Sequence, residues 1–237
     1  MNCSCYLFGR FNGKYTQYPD DGAKIIFENC VKYCSKVSQL VIHRENRITY
    51  YTFIRKLDNK LPSYVGISVL FSELRTSKID LVSQILEDAV NGMAAAGEIL
   101  DYSRNGVVSV TNNLSKKGVE INYLFKNIQK NLNCLNGYLE KLTTVNYAVD
   151  RDTYNICKLT DDEQSILRKS NEYGYLIAVK DETIKAEWSE ISEILGEYEI
   201  VKQNNVVVFV KSMSAKDITI TFLAFVVLLL ILILIFK

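Results

Sequence analysis

His43, in the stretch VIHREN, is the one histidine of the 237-residue chain, so any serine or cysteine nucleophile paired with an imidazole would have to use it. A metal site built from several histidines is excluded within one chain for the same reason. His43 falls near a strand end beside Arg44 and Glu45, a pattern that reads as a solvated hairpin tip and not as a catalytic base. The six cysteines are Cys3, Cys5, Cys30, Cys34, Cys134 and Cys157. Cys3-x-Cys5 and Cys30-x3-Cys34 would supply four thiolates to zinc, but the spacing is not a standard one. Cys30 and Cys34 also lie on the apolar face of a predicted helix, which favours buried, reduced thiols. Asp161-Asp162-Glu163 offers oxygen ligands to a divalent cation, yet three acids opening a helix more commonly offset its dipole. Neither G-x-x-x-x-G-K-[ST] nor G-x-G-x-x-G occurs, so the two glycine-rich phosphate cradles are missing. No cofactor and no metal are expected, and the chain does not read as an enzyme.

Composition narrows the partners. Lys and Arg number 28 against 27 Asp and Glu, which lacks the basic excess that nucleic-acid binding requires. Lys116-Lys117 is too small a cluster to change this, and at most it touches a membrane surface. Two prolines and the lack of any low-complexity tract argue for a folded body. Fifteen tyrosines and ten phenylalanines point to strands within it.

The elements that would position these residues are legible in order. Asn12-Gly13 between aromatic-rich runs marks a tight hairpin. Pro19-Asp20-Asp21-Gly22 then ends the strand and offers a cap to a helix over about 22–36, where Ile26, Cys30, Tyr33, Cys34 and Val37 recur at spacings of three and four. Two strands joined at Glu45-Asn46 follow, and SYVGISVLFSEL is a third. A helix with Ser77 as its cap carries Ile79, Val82, Leu86, Ala89, Met93, Ala96 and Leu100 on one face. Gly92 and Gly97 inside it are expected to permit close packing.

Residues 1–102 therefore read β-β-α-β-β-β-α, an α+β arrangement with a five-stranded antiparallel sheet and helices packed on it. That order resembles a longin-type (profilin-like) domain, found at the front of some tail-anchored trafficking proteins. The resemblance implies a recognition module without catalytic residues, engaged in regulated protein–protein contact at a membrane surface.

Over residues 116–143 a heptad seam follows: Ile121, Phe125, Ile128, Leu132, Leu135, Leu139 and Leu142 step by four and three. A longin-like domain, a heptad helix and an apolar C-terminal segment together look like the layout of longin-bearing SNAREs. The seam is short, stands roughly 70 residues from that segment, and has no Arg or Gln at its middle, since Gln129 lies outside it. Asn131, Asn133, Asn136 and Gly137 also weaken a helix. A helix packed on its own domain is the favoured reading. Residues 145–211 then read as a second small α/β unit. It has strands at NICKL and YLIAVK, a helix from the acids at 161–163 to Gly174, and another carrying Ile184, Trp188, Ile191 and Leu195. A hairpin around Asn204-Asn205 completes it.

Residues 218–236 contain no charge, and 16 of the 19 are Leu, Ile, Val or Phe. As a helix they span roughly 28 Å, which matches a hydrocarbon core of about 30 Å. Ile218, Phe222, Leu223, Phe225, Leu228, Leu229, Leu230, Ile231, Leu232, Ile233, Leu234, Ile235 and Phe236 are the residues expected in contact with lipid. Lys211 and Lys216 precede this stretch and Lys237 alone follows it, which places residues 1–211 on the cytoplasmic side. The N-terminus lacks the charge-then-apolar pattern of a secretory signal, so a single-pass, tail-anchored topology is expected. The expected function is a membrane-tethered, cytoplasm-facing interaction adaptor with a protein partner and the bilayer as its contacts. The alternatives are a membrane-perturbing effector whose apolar helices cluster on assembly, a SNARE-like trafficking protein, and an enzyme with an unfamiliar site.

Overall fold

The computed structural model describes residues 3–11, 13–21, 23–32, 39–45, 47–57, 63–103, 106–109, 113–142, 153–179, 198–203 and 206–211. Alternation along the first strands is what builds the fold. In β1 (Cys3–Phe11), Cys3, Cys5, Leu7 and Phe11 enter one core, while Phe8 enters another on the opposite side. β4 (Ile48–Leu57) and β5 (Ser63–Ser72) do the same: Tyr51, Phe53, Ile67 and Phe71 point one way, Tyr50, Ile54 and Tyr64 the other. Strands that are apolar on both faces must be covered on both faces, and the helices are distributed accordingly.

β2 (Lys14–Tyr18) pairs with β1, and β3 (Gln39–Glu45), β4 and β5 form an antiparallel run that closes against β1. α1 (Lys24–Lys32) places Phe27 and Cys30 on one face of this run. α2 (Ile79–Ala96) buries Ile79, Val82, Leu86, Val90 and Met93 on the other face. Each of these side chains contributes about 1.5–3 kcal/mol by leaving water, an upper estimate for an extended reference chain. α3 (Gly118–Asn131) joins α2 on that face through Ile121, Phe125 and Ile128. The order β-β-α-β-β-β-α is as expected, with a short extra strand, β6 (Leu74–Thr76), before α2.

The sheet is larger and more mixed than five antiparallel strands. β11 (Tyr175–Val179) pairs antiparallel with β3, and β10 (Tyr154–Lys158) runs parallel to β11, with α4 (Glu163–Glu172) in the crossover between them. β13 (Val206–Lys211) pairs with β10, and β12 (Tyr198–Gln203) forms a hairpin with β13. The result is one nine-stranded sheet in the order β12-β13-β10-β11-β3-β4-β5-β1-β2. Strands expected to form a separate unit over 145–211 are thus hydrogen-bonded into the first sheet. The chain is α+β with a mixed sheet and helices on both faces.

Several local expectations are corrected. α2 stops at Ala96, where Gly97 takes the left-handed conformation at φ 66°, so Leu100 lies in β7 (Leu100–Ser103), which pairs with β8 (Gly106–Ser109). The boundary expected at residue 102 falls inside that hairpin. Ser77 does not cap α2, because its hydroxyl donates to Glu163 Oε2 at 2.8 Å. Gly92 is not a packing glycine: a Cβ there would meet nothing within 4 Å.

The heptad seam is also not one helix over 116–143. α3 ends at Asn131, a 3-10 segment carries Leu132 and Leu135, and Leu139 begins β9 (Leu139–Lys141), which pairs with β6. The asparagines at 131, 133 and 136 with Gly137 make the longer helix unfavourable. Helix positions 33–36, the stretch 184–195 and the apolar segment 218–236 lie outside the described residues. Among the described residues no helix is long and apolar enough to cross a membrane.

The glycine that does govern packing is Gly66 in β5. Phe8 lies across it, 2.2 Å from where a Cβ would stand, and stacks on Phe27 with ring centroids 4.4 Å apart. Gly66→Ala is therefore expected to destabilise the chain by about 1–3 kcal/mol through overpacking. Gly92→Ala, on the exposed side of α2, should stabilise it by about 0.5–1 kcal/mol. Denaturant midpoints of the two variants against the parent check both signs.

Candidate functional site

Two places among the described residues gather exposed or polar side chains. The first is the outer side of α3. Its inner residues Ile121, Phe125 and Ile128 are buried, and its helical period then turns Val119 and Tyr123 outward, 83% and 68% exposed. Among the described residues they are two of the four exposed large hydrophobics, with Ile25 and Tyr138. Lys116, Lys126 and Lys130 flank them and are exposed. Glu120, the single acid between residues 113 and 138, holds Lys117 at 3.1 Å. Its carboxyl titrates low, first because a backbone amide bonds to it and then because of Lys117. The helix is fixed in place by Gln129 Nε2 donating to Cys3 O at 2.8 Å and Asn122 Nδ2 donating to Tyr18 Oη at 3.0 Å. A rigid helix thus displays an apolar-aromatic spot inside a cationic rim.

The second place is a polar seam where α4 meets the ends of β3, β4 and β6. Asn171 Oδ1 accepts from Arg75 Nη1 at 2.6 Å and from Arg44 Nη1 at 3.3 Å, so two guanidiniums converge on one neutral oxygen. Arg75 also lies 3.5 Å from Glu140. Tyr51 Oη accepts from Thr76 N at 2.7 Å and donates to Thr76 O at 2.8 Å, which fixes the β6 backbone beside them. A cavity of about 10 Å³ remains, lined by Arg44, Arg75, Thr49, Thr76 and Ser170 among others. At the other end of α4, Glu163 pairs with Lys78 and accepts from Ser77. The Lys78 ammonium is accordingly raised in pKa by its hydrogen bond to Glu163, and the Glu163 carboxyl is lowered by Lys78 and then Ser77.

No protein-family model, curated protein or solved structure matches the chain.

The residues singled out for chemistry are placed elsewhere and separately. His43 is buried, 5% exposed, and not a solvated tip. Its Nδ1 donates to Gly174 O at 2.7 Å, and its ring stacks on Tyr175 at 4.3 Å, because β11 covers the strand end that would otherwise face water. Cys3 and Cys5 belong to the core on the α2 side, and Cys30 to the core on the α1 side, so the sheet separates them. Cys34 lies outside the described residues. Among the described residues no three His, Cys, Asp or Glu side chains gather as a metal site.

The three acids at 161–163 also diverge. Asp162 caps α4 by accepting from Ser165 N at 3.0 Å, Asp161 accepts from Lys169 Nζ at 3.0 Å, and Glu163 turns to Lys78 and Ser77. Of the seam residues, Ile121, Phe125, Ile128, Leu132 and Leu135 are buried in the protein's own core, and Leu139 and Leu142 are half-buried beyond it. Sequence reasoning missed the arginine pair entirely. Arg44 and Arg75 meet Asn171 across 127 and 96 residues, and no local pattern announces such a meeting.

Thiol chemistry is graded by burial. Cys30 and Cys157 are pushed up to about 12 by desolvation. Cys5 is raised, first by donating its S–H to Cys3 and then by burial, and Cys3 is lowered by accepting that bond. Cys134 is exposed. At pH 8 an alkylating reagent should therefore modify Cys134 first among the described cysteines, with Cys30 and Cys157 reacting after unfolding, as peptide mass spectrometry would show. The native pKa of Cys30 and Cys157 lies above the ordinary 9.0. Their contribution to stability is thus complete below about pH 9 and lost as pH rises toward about 12. A chemical-denaturation series across that alkaline window should show the midpoint falling.

Proposed function

We propose that this chain is a membrane-tethered, cytoplasm-facing protein-interaction module, with a longin-like domain in its first hundred residues and residues 218–236 as its bilayer anchor. The observation that carries the reading is the outer face of α3: Val119 and Tyr123, 83% and 68% exposed, within a rim of Lys116, Lys126 and Lys130. A solvent-exposed tyrosine on a rigid helix is the kind of residue that dominates binding energy at interfaces. The lysine rim favours a partner with an acidic surface, which it would steer and orient. The antiparallel run β2-β1-β5-β4-β3 with helices on both faces supports the longin-like component. The strands beyond β3 are an addition to that arrangement.

At the β2 edge of the sheet the 3-10 turn Leu114–Lys117 lies against the strand, with Leu114 N donating to Thr16 Oγ1 at 2.9 Å, so that edge is the less suitable contact. The buried seam likewise leaves the SNARE-like alternative without a free apolar stripe for helix assembly in this folded state. The charge-free stretch at 218–236 and the lysines before it are the support for the anchor.

Covalent crosslinking at native expression level, followed by purification through an N-terminal tag, tests the reading. A reproducible protein partner should be captured with the parent chain, and at least about tenfold less with Val119→Asp/Tyr123→Asp, a loss of roughly 1.4 kcal/mol or more. Both positions are exposed, so the double variant should melt within a few degrees of the parent. Equal capture by the variant, or self-crosslinks alone from both, would sink the proposal.

A further inference from the structure

We infer that Cys3 and Cys5 form a two-coordinate binding site for a soft monovalent cation of the copper(I) class, held between their sulfurs on one face of β1. Residues two apart on a strand share a face, and both side chains enter the core on the α2 side. The strand is fixed at both positions. Cys3 is in register with Phe71 and Cys5 with Val69 on β5, and Cys3 O accepts from Gln129 Nε2 of α3 at 2.8 Å. Both thiols are free, and Cys5 donates its S–H to the Cys3 sulfur. The two sulfurs thus already face one another across a proton, in the place an ion would take. Cys3, 8% exposed against 5% for Cys5, is the outer of the two. It borders an open cleft of about 350 Å³ where β1, β4 and β5 end together, with Ser4, Ile48, Leu70 and Ser72.

Ligand number and surroundings select the ion. Among the described residues no third His, Cys, Asp or Glu joins the pair, so zinc, which takes four ligands in a structural site, is not served. Their neighbours on that face, Leu7, Val69 and Phe71, carry no oxygen for a hard cation. Copper(I) is soft, selects thiolates and is satisfied by two of them in line. Spacing favours an ion over a direct bond between the sulfurs. Two strand steps separate the Cα atoms by about 6.7 Å, at the long end of what a disulfide spans. An ion placed between the sulfurs, at roughly 2.3 Å from each, lengthens the bridge to suit. Two S–H bonds break and two metal–sulfur bonds form, so two protons leave per copper(I) bound and no electron is transferred.

The test is uptake of copper(I) by the full, reduced chain in detergent under anaerobic conditions, with the ion offered as its coloured bicinchoninate complex. The parent should withdraw about one equivalent, and Cys5→Ser, which keeps the size and removes the soft ligand, less than about a tenth of that. Cys34→Ser/Cys134→Ser leaves the pair intact and should withdraw as much as the parent. Copper X-ray absorption on that double variant should show two sulfur neighbours, a reading that does not require Cys5→Ser to fold. No other pair of remaining cysteines would supply them, because Cys30 lies in the core on the other face and Cys157 five strands away on β10. No withdrawal by the parent, equal withdrawal by Cys5→Ser, or a shell other than two sulfurs would overturn the site and leave Cys3 and Cys5 as core thiols alone.

Discussion

Four register pairs between β3 and β11, from Leu40↔Ala178 to His43↔Tyr175, are where two distant stretches of chain become one sheet. The hydrogen bond from His43 Nδ1 to Gly174 O closes that junction across 131 residues. Bringing such distant segments together costs chain entropy before any contact compensates. The compensation is visible in the packing. Tyr154, Tyr175 and His43 form a continuous aromatic stack across β10, β11 and β3, with centroids 4.9 and 4.3 Å apart. β10, β13 and β12 reach the rest of the protein through β11, and α4 is placed by the crossover that this junction permits.

The helices are held by two kinds of contact with different energetics. On the sheet side each presents apolar groups, and this burial supplies most of the stabilisation. Their ends are then oriented by polar contacts: Gln129 for α3, Asn171 and Glu163 for α4. Polar contacts of this type add little net energy, but they are specific, because a misplaced helix would leave buried donors unpaired. The convergence of Arg44 and Arg75 on Asn171 is the most concentrated instance.

Much of the fold is legible in the sequence because its signals are local. Asn12-Gly13 yields the β1–β2 hairpin, with Gly13 at φ 81°, and the acids at 161–163 yield a capped helix. The β12–β13 hairpin likewise forms around 204–205. What the sequence conceals is long-range. His43 sits at a strand end flanked by charges, the pattern of an exposed tip, and becomes buried when β11 arrives from far along the chain. The heptad spacing from Ile121 to Leu135 marks a buried stripe correctly, yet spacing alone does not say that the helix yields to a 3-10 segment after Asn131. The α3 face was legible only in part: Val119 and Tyr123 lie off the seam, and their exposure depends on which side α2 and β1 occupy.

Strand order carries a consequence for scale. β13, which runs toward the apolar stretch at 218–236, lies six strands from β1, over which α3 packs. At about 4.8 Å per strand the two are separated by roughly 29 Å. The sheet is therefore a spacer as well as a core. It sets the separation between β13 and the helix face that meets water, and lengthening or shortening that separation would require adding or deleting a strand, not merely altering a side chain.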